Sequence, residues 1–195
     1  MIPMLTFAVF AVFLVRDPRG VMNSRDTMDW CSKSSCNNPR VLCDNMQEDL
    51  LHALEIKQRF PGKIHLVRYE DLCLQPFQQT DQLLEFLNLP KRPVIEKYLE
   101  ESTSSKRLEE EQEVAASQLE QKRSRKLKEN PYSTKRNSKV TVFAWRQKIK
   151  PDEVEEIQNS CSKPMEDLGY NLFRDIDRDL HDDQFSVLQP KRVFN

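Results

Sequence analysis

The stretch AVFLVRDPRGVMNSR, residues 11–25, sets an apolar run directly against a group of charged side chains. The apolar residues within 7–15 are mostly β-branched or aromatic, as is typical of a strand covered on both faces. Asp17 and Pro18 then match a helix N-cap followed by proline at the first helical position. The stretch therefore predicts a buried strand that ends at Arg16, followed by a short helix.

A second apolar segment, KIHLVRYEDL (63–72), ends much like the first one. Between the two, Asp44 with Gln47 three positions later predicts a helix start, and Pro61-Gly62 predicts its end. A strand, a helix and another strand in this order favour a crossover unit with parallel strands. We therefore expect an α/β fold whose parallel sheet is flanked by helices.

The rest of the chain predicts more helix and one unusual segment. Leucines at helical spacing predict a helix over about 76–88, and Pro151 opens another helix that Gly169 caps. Residues 101–130 carry runs of both charges and few apolar side chains, which predicts a solvated helix or a disordered insertion. They lack the sustained apolar heptads of a coiled coil. We expect 174–195 to be loosely held.

Composition excludes several classes of partner and site. The chain has 195 residues and a formal net charge of −1, so no global attraction draws it to nucleic acid. Its three glycines argue against a glycine-rich phosphate loop within these residues. The three histidines do not fall at zinc-ligand spacing with the cysteines, so we expect no metal site. The apolar start is too short to span a bilayer, which needs roughly 20 residues.

Three of the five cysteines, Cys31, Cys36 and Cys43, lie in a polar segment rich in Ser and Asn. This setting favours a disulfide, and scattered free thiols are the alternative that the sequence leaves open. Because the number is odd, at least one cysteine has no partner within the chain.

Arg16 and Ser24 are the candidate binding residues. Ligands of parallel α/β sheets bind outside the carboxyl ends of the strands, and Arg16 lies at such an end. Ser24 follows about two helical turns later, so a guanidinium and a hydroxyl can hold one phosphate there. The alternative is an internal ion pair of Arg16 with Asp17, Glu70 or Asp71.

The segment VFLVRDPRGVMNSR resembles the 3′-phosphate-binding segment of Golgi carbohydrate sulfotransferases, notably the galactose, N-acetylglucosamine and chondroitin 6-O-sulfotransferases. Further similar segments follow in the order of that family, namely LCDNMQEDL, FPGKIHLVRYEDLCLQP, LLEFLNLP, STKRNS, FAWRQKI and CSKPMEDLGYNLF. Together they cover most of 7–100 and 131–173. The resemblance implies a P-loop-like sulfotransferase fold in a domain over 1–173, with 101–130 as an insertion.

The resemblance also implies a co-substrate, 3′-phosphoadenosine 5′-phosphosulfate (PAPS), and residues that bind it. Arg16 and Ser24 would grip its 3′-phosphate. Arg136, Asn137 and Ser138 resemble a second segment near the nucleotide. Alternatively, these residues only form a turn that carries a solvated charge.

Three further residues, Trp145, Glu70 and Asp71, keep alternative interpretations. Trp145 lies either near the nucleotide or, as we favour, in the core. Tyr69, Glu70 and Asp71 resemble scaffolding at a strand end, and a catalytic role is the less favoured alternative for Glu70 or Asp71.

The family's 5′-phosphosulfate loop, roughly Arg-Ser-Gly-Ser-Ser, and its membrane anchor have no counterpart in these residues. We therefore expect a truncated form, incomplete at its N-terminus, and we assign no catalytic residue. By resemblance the complete protein sulfates a glycan of a glycoprotein or proteoglycan in the Golgi lumen, held to the membrane only through an anchor absent here. A non-catalytic nucleotide-binding or accessory protein is the alternative.

Overall fold

The computed structural model describes residues 9–31, 35–103 and 138–194. Strands β1 (Ala11–Val15) and β2 (Ile64–Arg68) pair in parallel. This pairing confirms the predicted parallel sheet with helices around it.

Helices occupy most of the remaining described chain. They are α1 (Pro18–Asp26), α2 (Pro39–Arg59), α3 (Tyr69–Leu74), α4 (Pro76–Phe86), α5 (Pro93–Thr103), α6 (Ser138–Thr141), α7 (Pro151–Leu168) and α8 (Ile176–His181), with short 3-10 turns at Ser35–Asn37 and Ala144–Gln147. Helix α4 starts where the leucine spacing predicts, and α7 opens at Pro151 as expected.

The junction between β1 and α1 has the predicted form. The Asp17 side chain accepts a hydrogen bond from the backbone N–H of Arg19 at 2.9 Å, and Pro18 occupies the first helical position. A capping carboxylate satisfies an N–H that has no partner inside the helix. The cap fixes the direction in which α1 leaves the sheet, and Arg16 lies at this turn.

Helix α2 begins earlier than the sequence predicts. Asn38, rather than Asp44, is the N-cap, and its side-chain oxygen accepts from the N–H groups of Arg40 and Val41. Pro39 then takes the first helical position. The expected start at Asp44 is therefore wrong, since the preceding Asn-Pro pair already supplies the same start signal.

Strand β2 is shorter than the predicted 63–72. It ends at Arg68, and the chain passes directly into α3, which begins at Tyr69 and includes Glu70 and Asp71. These residues therefore occupy the first turn of a helix at the end of the sheet.

The core lies between the sheet, α1, α2 and α7. Its largest fully buried apolar side chains come from α2, α7 and the segment after it, and they are Leu50, Val154, Ile157, Met165, Leu168, Tyr170 and Leu180. A disulfide between Cys43 and Cys161 joins α2 to α7, and a second one joins Cys31 to Cys36. The expectation of disulfides is thus confirmed, with Cys73 left as a buried free thiol.

The C-terminal segment differs from the loosely held tail that we expected. Gly169 ends α7 in the left-handed conformation, with φ of 77°, as predicted. Beyond it, Leu180 and Val187 are buried in the core, and Tyr170 forms a β-bridge with Leu188. Apolar side chains spaced along an otherwise polar segment hold it against the domain.

Most of the expected insertion at 101–130, together with Arg136 and Asn137, lies outside the described residues. Within the described ranges, no helix has both the length and the apolar character needed to cross a membrane.

Candidate functional site

The structure brings Arg16 and Ser24 together. Arg16 Nη1 donates a hydrogen bond to Ser24 Oγ at 3.1 Å, and the Ser24 hydroxyl donates to the carbonyl of Gly20 at 2.9 Å. The hydroxyl is thereby held on the face of α1 that looks back toward the end of β1. The predicted pair is therefore preassembled across the junction of strand and helix.

Tyr69 forms a platform for the guanidinium. The Arg16 guanidinium carbon lies 4.8 Å from the centre of the Tyr69 ring, a distance typical of a cation–π contact. Burial, followed by a hydrogen bond with Cys73, raises the pKa of Tyr69 to about 12, so the ring stays neutral. Arg16 Nε is buried and has no acceptor in the described part of the chain.

Two other cations at this end of the sheet, Arg19 and Arg68, are neutralised internally. Arg19 and Asp17 form a fully buried ion pair with Nη2 and Oδ2 2.7 Å apart. Arg68 pairs with Asp71, again through two nitrogens and two oxygens. Among the described residues Arg16 forms no ion pair, so the internal pairing considered for it is not found.

The Glu70 carboxyl group links the start of α1 to Tyr170. Its Oε1 accepts from the backbone N–H of Asp17 at 3.1 Å, and its Oε2 accepts from the Tyr170 hydroxyl at 2.9 Å. Burial, reinforced by the Asp17 charge, raises the pKa of Glu70 to about 7. Both oxygens are thus engaged inside the protein, as scaffolding requires.

Ser138 is linked to the Tyr69 platform through Cys73. Its side chain and that of Tyr69 both interact with the Cys73 thiol, whose pKa is raised by burial. Arg16, Tyr69, Cys73 and Ser138 therefore form one continuous group of neighbours. The assignment of Ser138, Arg136 and Asn137 to the nucleotide stays a prediction.

A cleft of about 470 Å³ opens beside Arg16. Its size falls within the range usual for small-molecule sites, roughly 300–1,000 Å³. Its walls come from β1, α1, α2 and the platform, and they include Phe13, Val15, Arg16, Val21, Arg25, Leu42, Asn45, Met46, Asp49 and Tyr69. The lining thus combines two arginines with mostly apolar side chains and one carboxylate, that of Asp49.

Sequence reasoning missed three residues of this site. Tyr69 was taken as strand end, Arg25 had no role, and Gly20 was not singled out. Arg25 donates to the carbonyl of Cys36 at 2.9 Å and so anchors the disulfide loop. A signal was present for Gly20, because a glycine inside a helix usually marks a close approach of another group.

Comparison with known proteins points to one family. A family profile described as the sulfotransferase domain matches residues 9–169. Carbohydrate sulfotransferase 1 of Mus musculus is 28% identical over an alignment of 174 positions, which covers 82% of this chain and 38% of that protein. Carbohydrate sulfotransferase 3 of Mus musculus is 25% identical over an alignment of 197 positions, which covers 93% of this chain and 38% of that protein.

The relatives are much longer than the matched region. The chain spans about two fifths of the length of these curated proteins. No solved structure matches the chain.

Proposed function

Because the chain belongs to the sulfotransferase family, we propose that the whole protein transfers sulfate from PAPS to a sugar hydroxyl. The names of its relatives, carbohydrate sulfotransferases 1 and 3, support a carbohydrate acceptor, and we propose a glycan of a glycoprotein or proteoglycan. Within that class we propose the 6-hydroxyl of N-acetylglucosamine or galactose.

The observation that carries the proposal is the state of Arg16. Arg16 meets only a hydroxyl and an aromatic face, whereas Arg19 and Arg68 each have a carboxylate. A half-buried guanidinium without a counter-ion favours an incoming anion, since desolvation is already partly complete. We assign the 3′-phosphate of PAPS to Arg16 and Ser24.

The described residues fit the nucleotide end of the donor. Arg16 can give two parallel N–H bonds to one phosphate, and the Ser24 hydroxyl can rotate its proton toward the same group. The link of Ser138 to Tyr69 through Cys73 supports our assignment of Ser138, with Arg136 and Asn137, to the second nucleotide segment. When bound, PAPS supplies the activated sulfuryl group, and the residues assigned here hold and orient its other end.

The proposed setting is the Golgi lumen. Two disulfides within a chain of this size favour an oxidising compartment over the cytosol. This is the compartment that the family resemblance implies.

The test is binding of adenosine 3′,5′-bisphosphate, which carries the 3′-phosphate without the sulfuryl group. We expect the chain to bind it in isothermal titration calorimetry, and we expect Arg16→Ala to weaken binding at least tenfold because it removes a charge-assisted contact. Ser24→Ala should weaken it less, since a single hydroxyl is lost. Arg59→Ala, at a surface arginine whose side chain is 65% exposed, is the matched control and should bind normally.

Equal affinity of Arg16→Ala and the unaltered chain, with circular dichroism showing both folded, would refute the assignment. Sulfate transfer to glycan acceptors is then measured with the full-length protein. Binding without any transfer by the full-length protein would favour the non-catalytic alternative.

A further inference from the structure

Two buried side-chain donors without an acceptor lie next to each other at the start of α1. They are Nε of Arg16 and Nε1 of Trp145, and neither finds a partner in the described residues. Buried N–H groups are nearly always hydrogen-bonded in folded proteins. Two exceptions at one place therefore need a common explanation.

Gly20 is the residue that both donors border. A Cβ added to Gly20 would stand 3.3 Å from Trp145 Nε1 and 3.4 Å from Arg16 Nε. It would also approach Trp145 Cδ1 to 3.0 Å, which is tighter than most real contacts. The glycine thus allows the indole edge and the guanidinium to converge on the helix backbone, at the cost of helix propensity.

The indole is held in a fixed orientation. Trp145 is 2% exposed, its ring stacks near Phe173 with centroids 6.3 Å apart, and the Arg19 guanidinium lies 5.1 Å from its centre. Because its neighbours fix the ring, its N–H direction is set before any ligand arrives. Such a preorganised donor loses little entropy on binding.

We propose that Trp145 is a ligand-binding residue as well as a core residue. Its Nε1–H, together with Nε–H of Arg16, donates to an oxygen of the phosphate monoester that Arg16 and Ser24 bind. The proposal rests on the anion site of the proposed function and adds to it a donor from the segment after α6. It explains why both donors are left without a protein acceptor beside the same glycine.

The chain contains two tryptophans, which makes the proposal directly measurable. Trp30 is 60% exposed and is replaced by phenylalanine, so that Trp145 becomes the remaining tryptophan emitter. We expect the emission of Trp30→Phe to change on titration with adenosine 3′,5′-bisphosphate. The midpoint should agree with the dissociation constant from calorimetry.

Affinity gives the second readout. Trp145→Phe keeps an aromatic ring but removes the N–H, and we expect binding about tenfold weaker, as for loss of one hydrogen bond to a charged group. Trp30→Phe is the matched control and should bind like the unaltered chain. Gly20→Ala, which fills the space between the two donors, should also weaken binding.

The outcomes separate this proposal from the proposed function. If Arg16→Ala loses binding while folded Trp145→Phe binds like the unaltered chain, the role of Trp145 is refuted and the anion site stands. If Arg16→Ala also binds normally, the anion site itself is wrong. Should Trp145→Phe fail to fold, the emission experiment decides, because saturation with ligand and no change in Trp145 emission would overturn the proposal.

Discussion

Glu70 predicts an unusual dependence of stability on pH. It is fully buried, and burial together with the Asp17 charge raises its pKa from an ordinary 4.5 to about 7. In the folded protein the proton is therefore retained to higher pH than in the unfolded chain. The stabilisation that this provides is complete below pH 4.5 and is lost as the pH rises through 7.

The magnitude follows from the difference between the two pKa values. At about 1.4 kcal/mol for each pKa unit, ionisation of Glu70 removes roughly 3 kcal/mol from the free energy of unfolding between pH 4.5 and 8. Glu70→Gln abolishes this loss while keeping an amide that can accept from the Asp17 N–H and bond the Tyr170 hydroxyl. The variant should exceed the unaltered chain by less than about 1 kcal/mol at pH 5 and by roughly 3 kcal/mol at pH 8.

The assay is urea unfolding under non-reducing conditions at pH 5, 6, 7 and 8, followed by circular dichroism. Titration of other groups, including His65 with its pKa lowered by burial, cancels in the difference between variant and unaltered chain. Glu156→Gln, at an exposed glutamate of α7, is the control and should give a pH-independent difference. Parallel stability curves for Glu70→Gln and the unaltered chain would refute the reasoning.

Two further predictions concern the framework. Replacing Cys43 and Cys161 by serine opens a loop of 118 residues. Because the unfolded chain then gains conformational entropy, the free energy of unfolding should fall by about 5 kcal/mol, as measured by urea unfolding. An unchanged midpoint would show that the disulfide adds no stability. Gly169→Ala should destabilise strongly, because φ is 77° and its Cβ would stand 2.5 Å from the Gln189 carbonyl oxygen. Gly62→Ala, with φ of 75° but open space, should cost only about 1 kcal/mol, and equal melting temperatures for both variants would contradict this account.

The parts of the fold that the sequence predicted well are those set by local chemistry. Asp17-Pro18 is a cap followed by a proline, and it gave the start of α1 correctly. The start of α2 was missed although Asn38-Pro39 carries the same signal, because the cysteines around it favoured a loop interpretation. Contacts between distant segments could not be predicted from local sequence patterns, and the pairing of Cys43 with Cys161 is such a case.

The candidate site was predictable only in part, for the same reason. Arg16 and Ser24 lie eight positions apart across one turn, and their contact follows from strand and helix geometry. The charge of Arg19 is neutralised by its neighbour Asp17, but part of its hydrogen bonding comes from a distant segment. Gln158 of α7 accepts from Arg19 Nη1 at 3.0 Å, a contact that spacing along the chain does not show.

The three arginines that follow β1 differ in what meets their charge, and this difference assigns their roles. Arg19 is fully buried, and a buried guanidinium is tolerated only when acceptors surround it. Here the Asp17 carboxylate and the Gln158 amide oxygen are those acceptors. Arg25 donates one N–H to the carbonyl of Cys36 and so supports the disulfide loop. Arg16 has a hydroxyl and an aromatic face, which are the weakest acceptors of the three sets. Of these arginines, Arg16 therefore gains most from an anion, and a phosphate at the end of β1 completes its hydrogen bonding.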